Sequence, residues 1–199
     1  MDFSTSEGGL ISTIESLEGL CGKPGWVALA SDTDRIIPKY RKFIEASPYV
    51  TLATVGEHGP DCSPRGDAPG FVQVRDEKTL LVPDRAGNNR IETLRNLIHD
   101  PRIALHFLVP GSNESLRVKG QAAISNSSSL LQSFRANGKP ARTVIIVSVE
   151  RAYFHCGKAL KRSGVWTSAE QQADVSGLNS VTASVQWRRF RDLLLRKGQ

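Results

Sequence analysis

Residues 49–66 read YVTLATVGEHGPDCSPRG. Of the first seven, all but Leu52 and Ala53 are β-branched or aromatic, a composition that suits a pleated, half-buried surface better than a helix. GEHG (56–59) then breaks the run as a hairpin turn would, and PDCSPRG (60–66) resumes an extended course. Further along, FVQV (71–74) and TLLV (79–82) flank RDEK, a polar turn typical of antiparallel hairpins. RIALHFLV (102–109), SLRVKGQAAI (115–124) and RTVIIVSV (142–149) follow, separated by PGSN and by helical stretches at 88–99 and around 127–137. Connections this short cannot make parallel crossovers, so about six strands are expected in one antiparallel sheet closed as a barrel. The expected fold class is mainly β with flanking helices.

Two further segments carry helical spacing. GGLISTIESLEGL (8–20) places Leu10, Ile14 and Leu17 on one face and stops at the breaker Gly22-Lys23-Pro24-Gly25. TDRIIPKYRKFIEA (33–46) repeats the pattern with Ile36, Ile37, Tyr40, Phe43 and Ile44, and Pro38 belongs in a first turn. This second helix is expected to cover the barrel entrance. The tail VQWRRFRDLLLRK (185–197) sets Trp187, Phe190 and Leu194 on one face among arginines, the pattern of a docking helix. The chain therefore divides into a helical extension (1–34), a barrel domain (35–168) and a linker with an amphipathic helix (169–199).

Composition narrows the function. The chain has 199 residues, 39% hydrophobic and 23% charged, enough for one domain with a substantial core. A formal charge of +6 favours an anionic partner but is mild for a dedicated nucleic-acid binder. A phosphorylated small molecule would suffice. Cys21, Cys62 and Cys156 are odd in number, far apart and without a C-x-x-C pair, which points to a reducing cytoplasm. Acids at Asp2, Glu7, Glu15 and Glu18 argue against a signal peptide, and no apolar run approaches a membrane span.

Four stretches could carry chemistry. DCSPRGDAPGF (61–71) is either a surface turn or a shaped backbone presenting Ser63, Arg65 and Asp67 to an anion. VPDRAGNNRIETLRN (82–96) follows a strand and opens a helix that Asn88 or Asn89 can cap, with Arg85 and Arg90 beside the free N–H groups of the first turn. If these bends are adjacent, they meet at one end of the sheet. In SLRVKG (115–120) a period of two puts Arg117 and Lys119 on one face, either lining a cationic groove or simply wetting the sheet. In YFHCGKALKRSGVW (153–166), Lys158, Lys161 and Arg162 could hold a phosphate or cap a helix, and Trp166 could stack on a planar ring.

Other patterns carry little. His155 and Cys156 point to opposite strand faces and lack a third member for a nucleophilic dyad. Arg65-Gly66-Asp67 spells an adhesion tripeptide in a chain with no mark of secretion. The four histidines form no metal-binding pair, and neither a P-loop nor a dinucleotide fingerprint occurs.

The order YVTLATV, DCSPRGDAPGF, TLLVPDRAGNNRIETLRN, HDPRIALHFLVPG, SLRVKGQA resembles the pyridoxamine 5′-phosphate oxidase-like flavoproteins, over about residues 35–166. The run HC-x-KAL-x-RS-x-x-W at 155–166 is similar to one branch of that family. The resemblance implies a six-stranded antiparallel split β-barrel, working as a homodimer with FMN at the subunit interface. By position, Ser63 and Arg65 match the arginine-bearing strand that holds the FMN phosphate. Asn88, Asn89 and Arg90 stand where the family has a Ser/Arg/Lys phosphate cluster, with G-N-N-R in place of the usual S-R-K. Val82, Pro83 and Asp84 would run beside the isoalloxazine, and Lys158, Arg162 and Trp166 match a segment that reaches it from the partner subunit. The tryptophan and arginine-histidine arrangement of the vitamin B6-making members is not found, so other flavin chemistry on a small molecule is expected. Two alternatives stay open: a flavin- or tetrapyrrole-binding module without turnover, and a nucleic-acid-binding barrel, for which interleaved exposed aromatics are missing.

Overall fold

The computed structural model describes residues 9–25, 29–87 and 89–166. The chain divides into two units, Met1–Ser163 and Gly164–Gln199; of the second, Gly164, Val165 and Trp166 are described. The tail helix expected at 185–197 lies outside the described residues.

In the first unit the elements are α1 (Ile14–Cys21), α2 (Pro38–Ala46), β1 (Tyr49–Gly56), β2 (Gly59–Gly66), β3 (Gln73–Asp76), β4 (Thr79–Asp84), α3 (Glu92–His99), β5 (Arg102–Leu108), β6 (Ser115–Ser125), α4 (Ser128–Ser133), β7 (Thr143–His155) and α5 (Lys158–Ser163). All strands join one antiparallel sheet in the order β2-β1-β5-β6-β7-β4-β3. The sheet thus has seven strands, not six. The added one is β2, whose Pro60 and Pro64 cannot donate to a ladder and so suit an edge, where it pairs only with β1. No ladder joins β2 to β3 among the described residues, so the barrel stays open between its two edges.

Alternation builds the interior. Val50 and Leu52 of β1, Ile103, Leu105 and Phe107 of β5, Leu116 and Val118 of β6, and Ile145 and Val147 of β7 all turn inward and are almost fully buried. Burial of each is worth roughly 1.5–3 kcal/mol relative to exposure. α2 starts with Pro38 in its first turn and closes the interior with Tyr40 and Ile44. A second cluster forms on the outer side of β4 and β7, where Leu81 and Val144 pack against Phe134 and Ala141 beneath α4.

Two expectations need adjustment. The hairpin between β3 and β4 turns on Glu77-Lys78 alone, since the ladder already includes Asp76 and Thr79 across a bulge. β7 runs on to His155 because a bulge opposite Lys119 and Gly120 resets its register. There the backbones approach so closely that a Cβ on Gly120 would lie 1.9 Å from the Ser148 carbonyl oxygen. Of the helix expected at 8–20 only the part from Ile14 forms, as α1 behind the N-cap Thr13, with no residue buried; Leu10, Ile14 and Leu20 are well exposed.

Candidate functional site

The opening of the barrel is where the two arginine-bearing bends meet. In β2, Ser63 pairs with Leu52 and Arg65 with Val50, so both side chains share the inward side with those core residues. On the opposite side of the gap, β3 pairs with β4 only as far as Leu81. Val82, Pro83 and Asp84 therefore have β7 on one side and no strand on the other among the described residues. Asp84 follows Leu80 and Val82 in the inward alternation and emerges at the gap.

Two crossed ion pairs span it. Arg65 donates from Nε to Asp84 Oδ1 at 3.2 Å, and its Nη2 lies 3.1 Å from the same oxygen. Arg85 donates from Nε to Asp67 Oδ2 at 2.6 Å and from Nη1 to the Phe134 carbonyl at 2.7 Å, tying the bend to the end of α4. Asp67 also accepts from the Ala68 N–H at 2.8 Å. That backbone bond, followed by Arg85, holds the Asp67 carboxyl below its ordinary value against a smaller effect of burial. Each bend thus presents one arginine to the other's carboxylate.

Between them lies a cleft of about 540 Å³, within the roughly 300–1,000 Å³ of small-molecule sites. Ser63, Arg65, Asp84, Asn89 and Arg90 all line it, together with Arg85. Ser63 donates to Asp61 Oδ2 at 3.1 Å, and Arg90 from Nε to Glu92 Oε2 at 2.6 Å. Val82 is fully buried and does not line the cleft, so the place expected for it beside a ring is not open to it; Pro83 does line the cleft and has only a carbonyl to offer.

The helix cap expected at Asn88 or Asn89 does not form at Asn89, and Asn88 lies outside the described residues. The N-cap of α3 is Ile91, without a side-chain cap bond. Asn89 instead takes a left-handed conformation at φ 57° and accepts at Oδ1 from Arg142 Nη1 at 2.8 Å. Ile91 is left-handed too, at φ 48°. A β-branched residue there costs of order 1–3 kcal/mol, the sort of strain that collects at ligand-holding loops.

Arg142 was missed from sequence. It reads as the first residue of a strand, and its place in the cleft depends on β7 pairing with β4: its N–H donates to the Asp84 carbonyl at 2.9 Å. Thr143, the register partner of Asp84, has a buried hydroxyl with no partner.

Arg117, Lys158 and Arg162 do not line this cleft. Arg117 and Lys119 lie on the outer face of β6, opposite the buried Leu116 and Val118, as expected. Arg117 sits between His106 of β5 and Tyr153 of β7 in register. Burial, then Arg117 and His155, push the His106 imidazole below its ordinary value, and its Nε2 is buried without a partner. Lys158 and Arg162 are exposed on α5, beyond the far end of β7. Trp166 belongs to the second unit. Among the described residues no cluster of His, Cys, Asp and Glu could hold a metal ion, and no helix is long and apolar enough to cross a membrane.

Comparison with known proteins places the fold. The structure is similar to that of a histidine-to-alanine variant of HupZ from Group A Streptococcus: 19% identity, 60% of this chain and 99% of that one, TM-score 0.50. It is also similar to a putative pyridoxamine 5′-phosphate oxidase from Lactobacillus delbrueckii: 20% identity, 61% of this chain and 95% of that one, TM-score 0.50. A search of curated proteins found no match. The family model described as pyridoxamine 5′-phosphate oxidase matches residues 36–156, from just before α2 to just past β7 and more than half of the chain. The chain belongs to the pyridoxamine 5′-phosphate oxidase family.

Proposed function

We propose that this chain binds FMN in the cleft and works as an FMN-dependent oxidoreductase on a small molecule, as a homodimer with the cofactor at the subunit seam. The observation that carries the reading is that Arg65 and the 84–90 bend line one cleft at the barrel opening. Family membership adds to it, since the family resemblance implies FMN.

When bound, the flavin supplies hydride chemistry, and the protein's part is to hold, orient and polarise it. Ser63, Arg65 and Arg90 are the donors for the phosphate. A phosphate oxygen can replace a carboxylate oxygen on Arg65 without moving the guanidinium, because both are acceptors of the same fork. The Pro83 carbonyl, on the part of β4 that β3 does not cover, can face the polar rim of a flat ring. No nucleophilic side chain is needed.

The homodimer rests on the family resemblance, in which the segment matching Lys158 and Arg162 reaches the cofactor from the partner subunit; in this chain both residues lie on α5 just past His155 and do not line the cleft. Three exposed, unpaired cysteines favour a reducing cytoplasm as the place of work.

The test is to purify the protein without added cofactor, release what it carries and identify it by mass. FMN is the expected result. A haem, revealed by a Soret band, favours the tetrapyrrole-binding alternative; an empty protein that takes up no FMN in titration removes the reading. Bound flavin that, once reduced by a supplied reductant, passes its electrons to none of the small-molecule acceptors offered would assign a carrier or sensor instead.

A further inference from the structure

The cleft is lined by four arginines, Arg65, Arg85, Arg90 and Arg142, and by four carboxylates, Asp61, Asp67, Asp84 and Glu92. Its formal charge is therefore zero before any ligand arrives. Three of the arginines already face a carboxylate: Arg65 faces Asp84, Arg85 faces Asp67 and Arg90 faces Glu92. A phosphate monoester meeting those three must displace or share an acid, with the carboxylate left to find water or another donor. Arg142 differs. Its side chain donates to the neutral Asn89 Oδ1 and makes no ion pair among the described residues.

Its position is fixed from both ends. The backbone N–H is tied to the Asp84 carbonyl, and the guanidinium is held by an asparagine whose left-handed backbone turns it across the bend. An arginine lining a cleft with one donor engaged keeps four N–H groups for the oxygens of an anion. It can accept a phosphate without releasing any acid. Resting on the FMN reading above, we propose that Arg142 is the residue that reads the ligand's terminal phosphate. Arg65 and Arg85 mainly brace the opening in the free protein, Arg90 pairs locally with Glu92, and all three join the phosphate by exchange. Arg142, held by Asn89, therefore makes the site discriminate a phosphorylated ring from its unphosphorylated counterpart.

The experiment titrates apoprotein with FMN and, separately, with riboflavin, following quenching of flavin fluorescence. The proteins are wild type, Arg142→Gln, Arg142→Lys, Asn89→Ala, Arg65→Ala and, as a control on the neighbouring loop, Lys139→Ala. Arg142 is exposed, so the melting temperature of Arg142→Gln should match wild type and keep folding out of the comparison. The expected result is a loss of tenfold or more in FMN affinity for Arg142→Gln, with riboflavin affinity unchanged. Arg142→Lys should recover part of the loss, Asn89→Ala should lose a few-fold, and Lys139→Ala should be silent. If Arg142→Gln binds FMN like wild type while Arg65→Ala loses it, the assignment to Arg142 is overturned and the FMN reading survives. If wild type binds neither flavin, the FMN reading itself falls, and this inference with it. Equal losses for FMN and riboflavin in Arg142→Gln would also overturn it, by showing that Arg142 shapes the cleft and does not read the phosphate.

Discussion

Two half-buried arginines of this barrel, Arg65 and Arg117, sit on strand surfaces of similar exposure and are accommodated in opposite ways. Arg65 faces inward at the opening and is matched by Asp84; its neighbour Arg85 is matched by Asp67. Arg117 lies on the outer face with no ion pair among the described residues, beside a histidine that burial and Arg117 itself keep from taking a proton. The opening neutralises its cations by adding acids, whereas the outer face limits its charge by leaving His106 neutral. The first solution creates a place where one anion can be exchanged for another. The second leaves Arg117 and Lys119 on the outer face, Arg117 in register with Tyr153, whose ring Arg151 already covers.

The widest separation between the patches should come from removing cations. Arg65→Ala combined with Arg90→Ala is expected to empty the cleft, since each charged hydrogen bond to a phosphate is worth roughly tenfold to a hundredfold in affinity. Flavin content after purification and FMN titration both report this. Arg117→Ala should cost much less in the same titration and should lose its effect if the protein is held monomeric. Retention of full flavin content in the double variant would show that Arg65 and Arg90 are not the phosphate's donors, leaving it to Arg142 or to a place outside the cleft.

A smaller and more pointed effect comes from removing an acid. In Asp84→Asn, Arg65 keeps a side-chain acceptor but loses its opposite charge. Stability should fall by about 1–2 kcal/mol, between an exposed pair and a buried one, visible as a lower midpoint in urea. Affinity for FMN should rise severalfold, because the phosphate no longer competes with a carboxylate. A fall in both would mean that Asp84 positions Arg65 for the ligand and does not compete with it.

How much of this was legible in the sequence depends on range. The inward alternation of β1, β5 and β6 follows from residues two apart, so Leu116 and Val118 could be assigned to the core and Arg117 to the surface before any fold was known. Pro38 opening α2 is a local steric fact of the same kind. The meeting of Arg65 with the 84–90 bend could be anticipated only as a conditional, because it requires β1, β5, β6 and β7 to carry β2 and β4 around the barrel to the same gap. Arg142 lay beyond reach for that reason, since nothing near RTVIIVSV announces that its first residue lies against Asp84. The cap at Asn89 failed for a different cause: its side chain is taken by Arg142, a partner 53 positions away, and the helix start passed to Ile91. The break at Lys119 and Gly120, which carries β7 on to His155, was also invisible, since the glycine's close approach to Ser148 belongs to the paired strand.

The finest test separates the patches by acid. His106 has a folded pKa below its ordinary 6.5, so the unfolded chain takes the proton first. Its contribution is intact above about pH 6.5 and is lost progressively as the pH falls toward the lower folded value. Asp67 also has a lowered folded pKa, from an ordinary 3.8, so its contribution is present above about pH 4 and is lost only as the pH drops through the folded value beneath it. Acidification from pH 7 to 5 should therefore weaken the outer face while leaving the crossed pairs at the opening untouched, and only stronger acid should reach those pairs. Melting temperatures taken across the range should show a first decline that is absent in His106→Gln and a second, below pH 4, that is reduced in Asp67→Asn. Asp67→Asn should remove only part of the second, because the pair with Arg85 is about a quarter to a third exposed and screened by water, and Asp34, Asp76 and Asp100 also hold lowered carboxyl values. If Asp67→Asn instead removes the decline between pH 7 and 5, the crossed pair is not held as an ionised carboxylate at neutral pH, and the exchange of phosphate for carboxylate at the opening loses its basis.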